Sequence, residues 1–193
     1  GKFYLLRNNL IKEAKIYSHL ETDEKKYLHK LARELNRGAN AVEIGSYLGA
    51  SSCLIANGMS KTKGTLYCID TWENQTMPEG ERDTFSEFRS NTSKYKDVIV
   101  PLRGRSSEVV AKLKERIDKI DLFFIDGDHS YEACRADWEN YLPFLRKGSV
   151  IVFHDTAWAE GVNKVIAWSV TKVADRILKL PNMQAFKING LCE

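Results

Sequence analysis

The chain has 193 residues, 43% hydrophobic and 28% charged, with 29 basic against 26 acidic side chains for a formal net charge of +3. At 22.0 kDa, with a pI near 8.6 and a mean hydropathy of −0.39, it suits one globular domain with a sizeable core. Two classes are excluded: no apolar run reaches the roughly 18–20 residues of a membrane span, and no concentrated Lys/Arg stripe marks a nucleic-acid binder.

The densest basic stretch, Lys112 to Lys119, is interrupted by Glu115 and Asp118 and reads as a solvated helix face. The first residues lack the apolar stretch and small-residue cleavage site of a signal peptide. An initial Gly1 in place of Met suggests a processed or engineered start. The four cysteines (Cys53, Cys68, Cys134 and Cys192) form no C-x-x-C pair, and three sit among apolar neighbours. Buried thiols in a reducing cytoplasm are therefore expected. A homodimer is compatible with a domain of this size, although no particular residue signals one.

Apolar residues recur at helical spacing from Ile11 to Leu20 and from Tyr27 to Leu35, with Thr22 or Asp23 as caps and Gly38 as the stop. Residues 1–38 thus read as N-terminal helices, and residues 39–193 as an α/β core of the same domain. Ala41 to Ile44 is a short strand, followed by a glycine-containing turn and a helix through Met59. Thr65 to Asp70 is a second strand. Residues 71–82, with Pro78 and Gly80 and no periodicity, read as a mobile loop. A weak helix (84–95) and a strand (98–102) come next, then a helix capped by Ser106 or Ser107.

Two apolar, β-branched runs follow, Ile120 to Ile125 and Val150 to Phe153, separated by a helix over 131–145. A helix over 161–173 and a strand over 183–188 complete the chain. Strands alternating with helices predict a doubly wound, mostly parallel sheet with helices on both faces.

Ligands in such folds bind outside the carboxyl ends of the strands, and the residues there are chemically distinctive. The run 120–125 ends in Asp126, Asp128 and His129, and the run 150–153 ends in His154 and Asp155. Both aim oxygen and nitrogen ligands at one crevice, as a metal or acid/base site requires. Gly45-Ser46-Tyr47-Leu48-Gly49 joins the first strand to its helix; it is not G-x-G-x-x-G, and a nucleotide-type ligand and a plain βα turn are both open. Asp70, ending an apolar strand, suits hydrogen bonds from ribose hydroxyls. Trp72 offers either a face for an adenine or an anchor for its loop. Gly104 and Ser106 either line the base of a nucleoside or cap a helix. Asp128 reads as a helix N-terminal acid, Tyr131, Trp138 and Tyr141 as core, and Trp158 as the border of an acceptor pocket.

Together, Val-Glu-Ile-Gly-Ser-x-x-Gly-x-Ser (42–51), Ile-Asp-Thr-Trp (69–72), Phe-Ile-Asp-Gly-Asp-His-Ser-Tyr-Glu (124–132) and His-Asp-Thr (154–156) resemble the class I S-adenosylmethionine-dependent methyltransferases. Within them, the pattern is similar to the small metal-assisted O-methyltransferases related to the catechol and macrolide-sugar enzymes. The resemblance covers roughly residues 25–190 and implies a seven-stranded sheet. It implies that Glu43, Gly45, Ser46 and Gly49 surround the methionine part of the cofactor, that Ser51 also binds the cofactor, that Asp70 holds the ribose, and that Trp72, Arg105 and Ser106 lie near the adenine. Asp126, also beside the cofactor, and Asp155 fall on the divalent-metal carboxylates, and His129 on the general base.

His154 stands where sugar-type relatives have an acid; ligation, orientation of Asp155, or neither are all open for it. Carboxylates favour Mg²⁺ or Mn²⁺, while a histidine ligand tilts toward Mn²⁺, Fe²⁺ or Zn²⁺. A cation lowers the pKa of an acceptor hydroxyl, and a neutral histidine takes its proton. The expected reaction is methyl transfer to a hydroxyl of a small acceptor, a sugar or other natural product. The alternatives are an NAD(P)-dependent oxidoreductase and a catalytically inactive cofactor-binding module.

Overall fold

The computed structural model describes residues 1–74 and 80–190. Two helices, α1 (Lys2–Arg7) and α2 (Ile11–Ala14), precede α3 (Thr22–Arg33). The core then runs β1 (Asn40–Ile44), α4 (Ala50–Gly58), β2 (Thr65–Asp70), α5 (Phe85–Thr92), β3 (Ile99–Arg103), α6 (Ser106–Lys114) and β4 (Ile120–Ile125). It ends with α7 (Tyr131–Tyr141), β5 (Leu145–His154), α8 (Glu160–Trp168), β6 (Ala174–Lys179) and β7 (Met183–Ile188). The seven strands lie in the order β3-β2-β1-β4-β5-β7-β6. All neighbours are parallel except β7, which is antiparallel to both β5 and β6. No helix among the described residues is long and apolar enough to cross a membrane.

The unbroken apolar runs are explained by burial on both faces, because successive side chains of a strand point to opposite sides. Val42, Phe123, Ile125, Ile151 and Phe153 pack with α6, α7 and α8 on one face. Ala41, Leu122, Phe124 and Val152 pack with α3, α4 and α5 on the other. Cys53, Cys68 and Cys134 are free and buried in these cores, and burial pushes the thiols of Cys53 and Cys134 up to about 12. They act as small hydrophobes.

Several elements differ from the sequence expectation. The periodicity from Ile11 to Leu20 yields only the four residues of α2, and α1 had no signal. α3 is capped by Glu21, not by Thr22 or Asp23; the Glu21 N–H donates to Glu24 Oε2 at 2.7 Å. β5 begins five residues before the apolar run. β6 was not expected because it is an edge strand with Asp175, Arg176 and Lys179, and such strands carry charge in place of an apolar pattern. The mobile-loop reading of 71–82 falls partly on residues 75–79, outside the described residues; its ends are tied by Thr84 N–H to the Trp72 carbonyl at 3.0 Å and Arg82 N–H to the Glu73 carbonyl at 3.1 Å.

Two residues of β1 and its turn set the site. Gly45 (φ +86°) passes so close to β4 that a Cβ would stand 2.0 Å from the Asp126 carbonyl oxygen. Glu43 is fully buried; its Oε2 accepts from the hydroxyls of Ser46 and Ser52, while Oε1 has no partner. Burial, opposed by those hydroxyls, raises its carboxyl above the ordinary range.

Two outcomes follow. Gly45→Ala is expected to cost about 3 kcal/mol or more from strain and backbone collision. Gly38→Ala, with positive φ but open space around it, should cost only about 1 kcal/mol; denaturant unfolding measures both. A raised folded pKa at Glu43 gives stability that is complete below about pH 4.3 and lost as pH rises through the folded value. The difference in melting temperature between Glu43→Gln and the parent should therefore move in the variant's favour from about pH 5 to about pH 8; a constant difference contradicts the raised value.

Candidate active site

The carboxyl ends of β1, β2, β3, β4 and β5 surround a cleft of about 800 Å³. Backbone bonds continue the parallel ladder into its floor: Gly45 N–H to Ile69, Asp126 N–H to Ile44 and Gly104 N–H to Asp70, each at 2.9 Å. Of the residues singled out from the sequence, Gly45, Ser46, Ser51, Asp70, Arg105, Ser106, Asp126, His129 and Asp155 line the cleft, and so does Trp158. Among the described residues of the turns around the cleft, four are held at positive φ without glycine: Tyr47 (45°), Trp72 (53°), Asn74 (60°) and Asp155 (58°). Such conformations cluster where surrounding structure fixes a functional backbone.

Glu43, Gly49, Trp72 and His154 are not among the residues that line it. Glu43 lies beneath the turn and holds Ser46 from below. Gly49 is the left-handed N-cap of α4, and a Cβ there would meet Thr92 and Phe88 of α5; packing, not ligand approach, demands the glycine. Trp72 is wholly buried. Its indole donates to the Tyr47 carbonyl at 2.9 Å and its ring packs on Phe85 and Phe88 at 4.8 and 4.7 Å between centroids. It is the anchor and has no free face for an adenine.

Asp70 Oδ2 accepts from Tyr47 N–H at 2.8 Å and Oδ1 from Trp72 N–H at 2.7 Å. Burial raises this carboxyl, with the backbone N–H groups opposing. Each oxygen keeps a further lone pair for a ligand hydroxyl.

At the other end of the cleft, His154 sits among three carboxylates. Its Nδ1 is 3.1 Å from both Asp126 Oδ1 and Asp155 Oδ2, and its Nε2 is 3.2 Å from Glu24 Oε2. Burial would lower the ring's pKa, but Asp126, Asp155 and Glu24 outweigh it and push it up to about 12. Asp155 Oδ1 accepts hydrogen bonds from Trp158 Nε1 at 2.9 Å and Asn182 Nδ2 at 3.1 Å, and its Oδ2 lies 3.1 Å from His154 Nδ1 and 3.3 Å from His129 Nε2. Burial acts to raise its carboxyl, yet these contacts hold it well below the usual range. Asp126 is raised, by burial first, against the pull of His154. His129 is a third exposed and meets the exposed Trp158 edge-on, 4.9 Å between ring centroids. Asp128 Oδ1 accepts from Ser130 N–H at 2.8 Å, the helix-start role expected of it.

The ligand atoms of Asp126, His154 and Asp155 lie within 4.8 Å of one another. His154 thus touches both acids, so ligation and orientation are each within its reach, and the reading in which it does neither is removed. As a donor set the three fit a divalent cation: Nδ1 faces the two carboxylates while Nε2 is held by Glu24, the outer carboxylate that metal-bound imidazoles commonly have.

The sequence reading missed Glu24, Asn182, Asp137 and the segment Tyr17 to Leu20, all close to this cleft. Glu24 and Asn182 carry no local signal, since their partners lie 130 and 27 residues away. Asp137 had one: it is an acid on the apolar face of α7, among Cys134, Trp138 and Tyr141.

The chain is 27% identical over 124 residues to the uncharacterized protein y4gI of Sinorhizobium fredii, and 28% over 134 residues to the uncharacterized protein R132 of Acanthamoeba polyphaga mimivirus. The matches take in 62% and 65% of this chain but span only 13% and 58% of those relatives. Among solved structures, the O-methyltransferase NovP superposes with a TM-score of 0.76 at 14% identity, over 95% of this chain and 89% of that one. The O-methyltransferase TomG of Streptomyces achromogenes, involved in tomaymycin synthesis and solved with S-adenosylmethionine (SAM), gives 0.72 at 16%, over 98% and 97%. CalS11, a TDP-rhamnose 3'-O-methyltransferase of calicheamicin biosynthesis, gives 0.66 at 17%, over 97% and 86%. These likenesses establish the fold. A family model described as a methyltransferase domain matches residues 42–156, more than half of the sequence, and the chain belongs to that methyltransferase-domain family.

Proposed function

We propose that this chain transfers a methyl group from SAM to a hydroxyl of a small acceptor, a sugar or other natural-product hydroxyl, with His129 taking the hydroxyl proton. One observation carries the reading: a single cleft joins the Gly45–Asp70–Ser106 end, suited to a nucleoside, to the His129–Asp155 end, suited to proton transfer. Family membership and the SAM-bound relative TomG support the donor; CalS11 supports a sugar acceptor.

SAM supplies an electrophilic methyl group, and a divalent cation, when bound, lowers the pKa of an acceptor hydroxyl. Asp70 and the turn at Gly45 and Ser46 hold the donor, and Asp126, Asp155 and His154 hold the cation. Asp155 Oδ2 lies 3.3 Å from His129 Nε2, which leaves Nδ1 to accept a proton from the acceptor; this tautomer is assigned from the carboxylate beside Nε2. Trp158, fixed by its indole bond to Asp155, and the exposed Tyr17 flank the open end of the cleft. Aromatic faces of that kind suit the apolar face of a sugar ring.

His129→Ala should lower turnover by about 10²–10⁴-fold while calorimetry shows S-adenosylhomocysteine binding preserved. Turnover unchanged by the substitution rejects His129 as the base, and absence of any binding by the parent protein rejects the donor. For the cation, Mn²⁺ titrated into chelator-stripped protein should bind the parent but neither Asp126→Asn nor Asp155→Asn. Glu24→Gln should weaken it by about 10–100-fold. Full activity after metal stripping would show that the His154 imidazolium holds the two acids without a cation.

A further inference from the structure

Asp137 is a buried acid for which neither the core nor the proton-transfer end of the cleft has a use. It is 4% exposed, yet its side chain borders the cleft. The hydroxyl of Ser106 donates to its Oδ1, and Ser106 is itself pinned through its carbonyl by the Tyr141 hydroxyl at 2.9 Å. No cation pairs with it: among the described residues Ser106 is the one group hydrogen-bonded to this carboxylate. Burial raises its pKa to about 6, with Ser106 opposing and Asp128 adding to the rise. A buried, unpaired acid facing a cleft costs stability and is a marker of ligand contact.

The shape around Asp137 says which ligand. Ala133, Ala136 and Asp137 share one face of α7, at positions i, i+3 and i+4. All three line the cleft, as do Gly104, Arg105 and Gly127. The alanines and glycines give this slot of the cleft a lining of small side chains beside the carboxylate, with Arg105 also at its border. Oδ2 faces the space over Gly127, where a Cβ would stand 3.8 Å from it. The slot adjoins the end of β2, where Asp70 is placed for a ribose diol, and its wall is the loop leaving β3. A flat base attached to that ribose enters here.

We infer that Asp137 selects the base of the methyl donor: Oδ2 accepts a hydrogen bond from the exocyclic amine of adenine, with Ser106 fixing the carboxylate through Oδ1. The inference rests on the reading of the cleft as a SAM site and adds the group that distinguishes adenine from other purines. A carboxylate accepts and does not donate. Hypoxanthine, which presents a carbonyl oxygen in place of the amine, leaves two acceptors facing each other at a buried site, and such mismatches are strongly rejected. An amide at the same position can turn its NH₂ toward that carbonyl.

Calorimetric titration with S-adenosylhomocysteine and its hypoxanthine counterpart, S-inosylhomocysteine, tests this. The parent protein should prefer the adenine compound by about 10-fold or more. Asp137→Asn, isosteric and able to keep the Ser106 contact, should shrink or invert that preference mainly by gaining affinity for the inosyl compound, a change that loss of structure does not produce. Equal affinities in the parent protein, or an unchanged ratio in Asp137→Asn, overturn the inference while leaving the donor site in place. Failure of both compounds to bind the parent overturns it together with the proposed function. If Asp137→Asn does not fold, the parent's preference decides alone.

Discussion

The buried charge cluster around His154 is the constraint on which the site depends. One imidazole, almost inaccessible to solvent, stands between Asp126 at the end of β4, Asp155 just beyond β5 and Glu24 on α3. Charges taken out of water cost several kcal/mol each unless they are paired. Removing one partner from such an arrangement costs about 3–5 kcal/mol, whereas replacing the whole cluster with well-packed apolar groups is often neutral or better. Stability therefore gives no reason to keep it. Its effect is positional: it fixes two strand-end carboxylates relative to each other and ties α3 to the carboxyl end of the sheet.

The same carboxylate that faces His154 also lies beside His129 and accepts from the Trp158 indole, so three aromatic rings meet at Asp155. Its positive φ is accompanied by contacts from four different residues, two hydrogen bonds and two imidazoles, that hold the side chain in place. At the far end of the cleft, Asp70 plays a comparable part with backbone donors alone, since Tyr47 and Trp72 turn their N–H groups onto its two oxygens. Strain is thus concentrated in the turns that present groups to the ligand.

Much of this architecture is legible in the sequence because the parallel strands are buried on both faces and must be written in continuous apolar residues. The point where such a run stops also marks where ligands bind, which is why Asp70, Asp126, His129 and Asp155 are identifiable at once. Legibility fails where the physical cause is not local. β6 is an exposed edge strand and carries no apolar pattern. Trp72 reads equally as platform or anchor until the aromatic rings of α5 are seen to enclose it. Gly49 has the spacing of a ligand-binding glycine, yet the neighbour that requires it is a helix about forty residues on. Glu24 and Asn182 reach the site only through the folding of both chain ends onto the sheet.

That last placement has a consequence for modularity. The segment recognised as a methyltransferase domain, 42–156, contains both strand-end acids and the two histidines beside them, but Glu24 lies ahead of it and Asn182 behind it. Transplanting that segment into another scaffold would carry the reactive groups without the outer contacts that aim them. The unit recognised by sequence and the unit that fixes the site differ, because the flanks on either side hold groups that set its geometry.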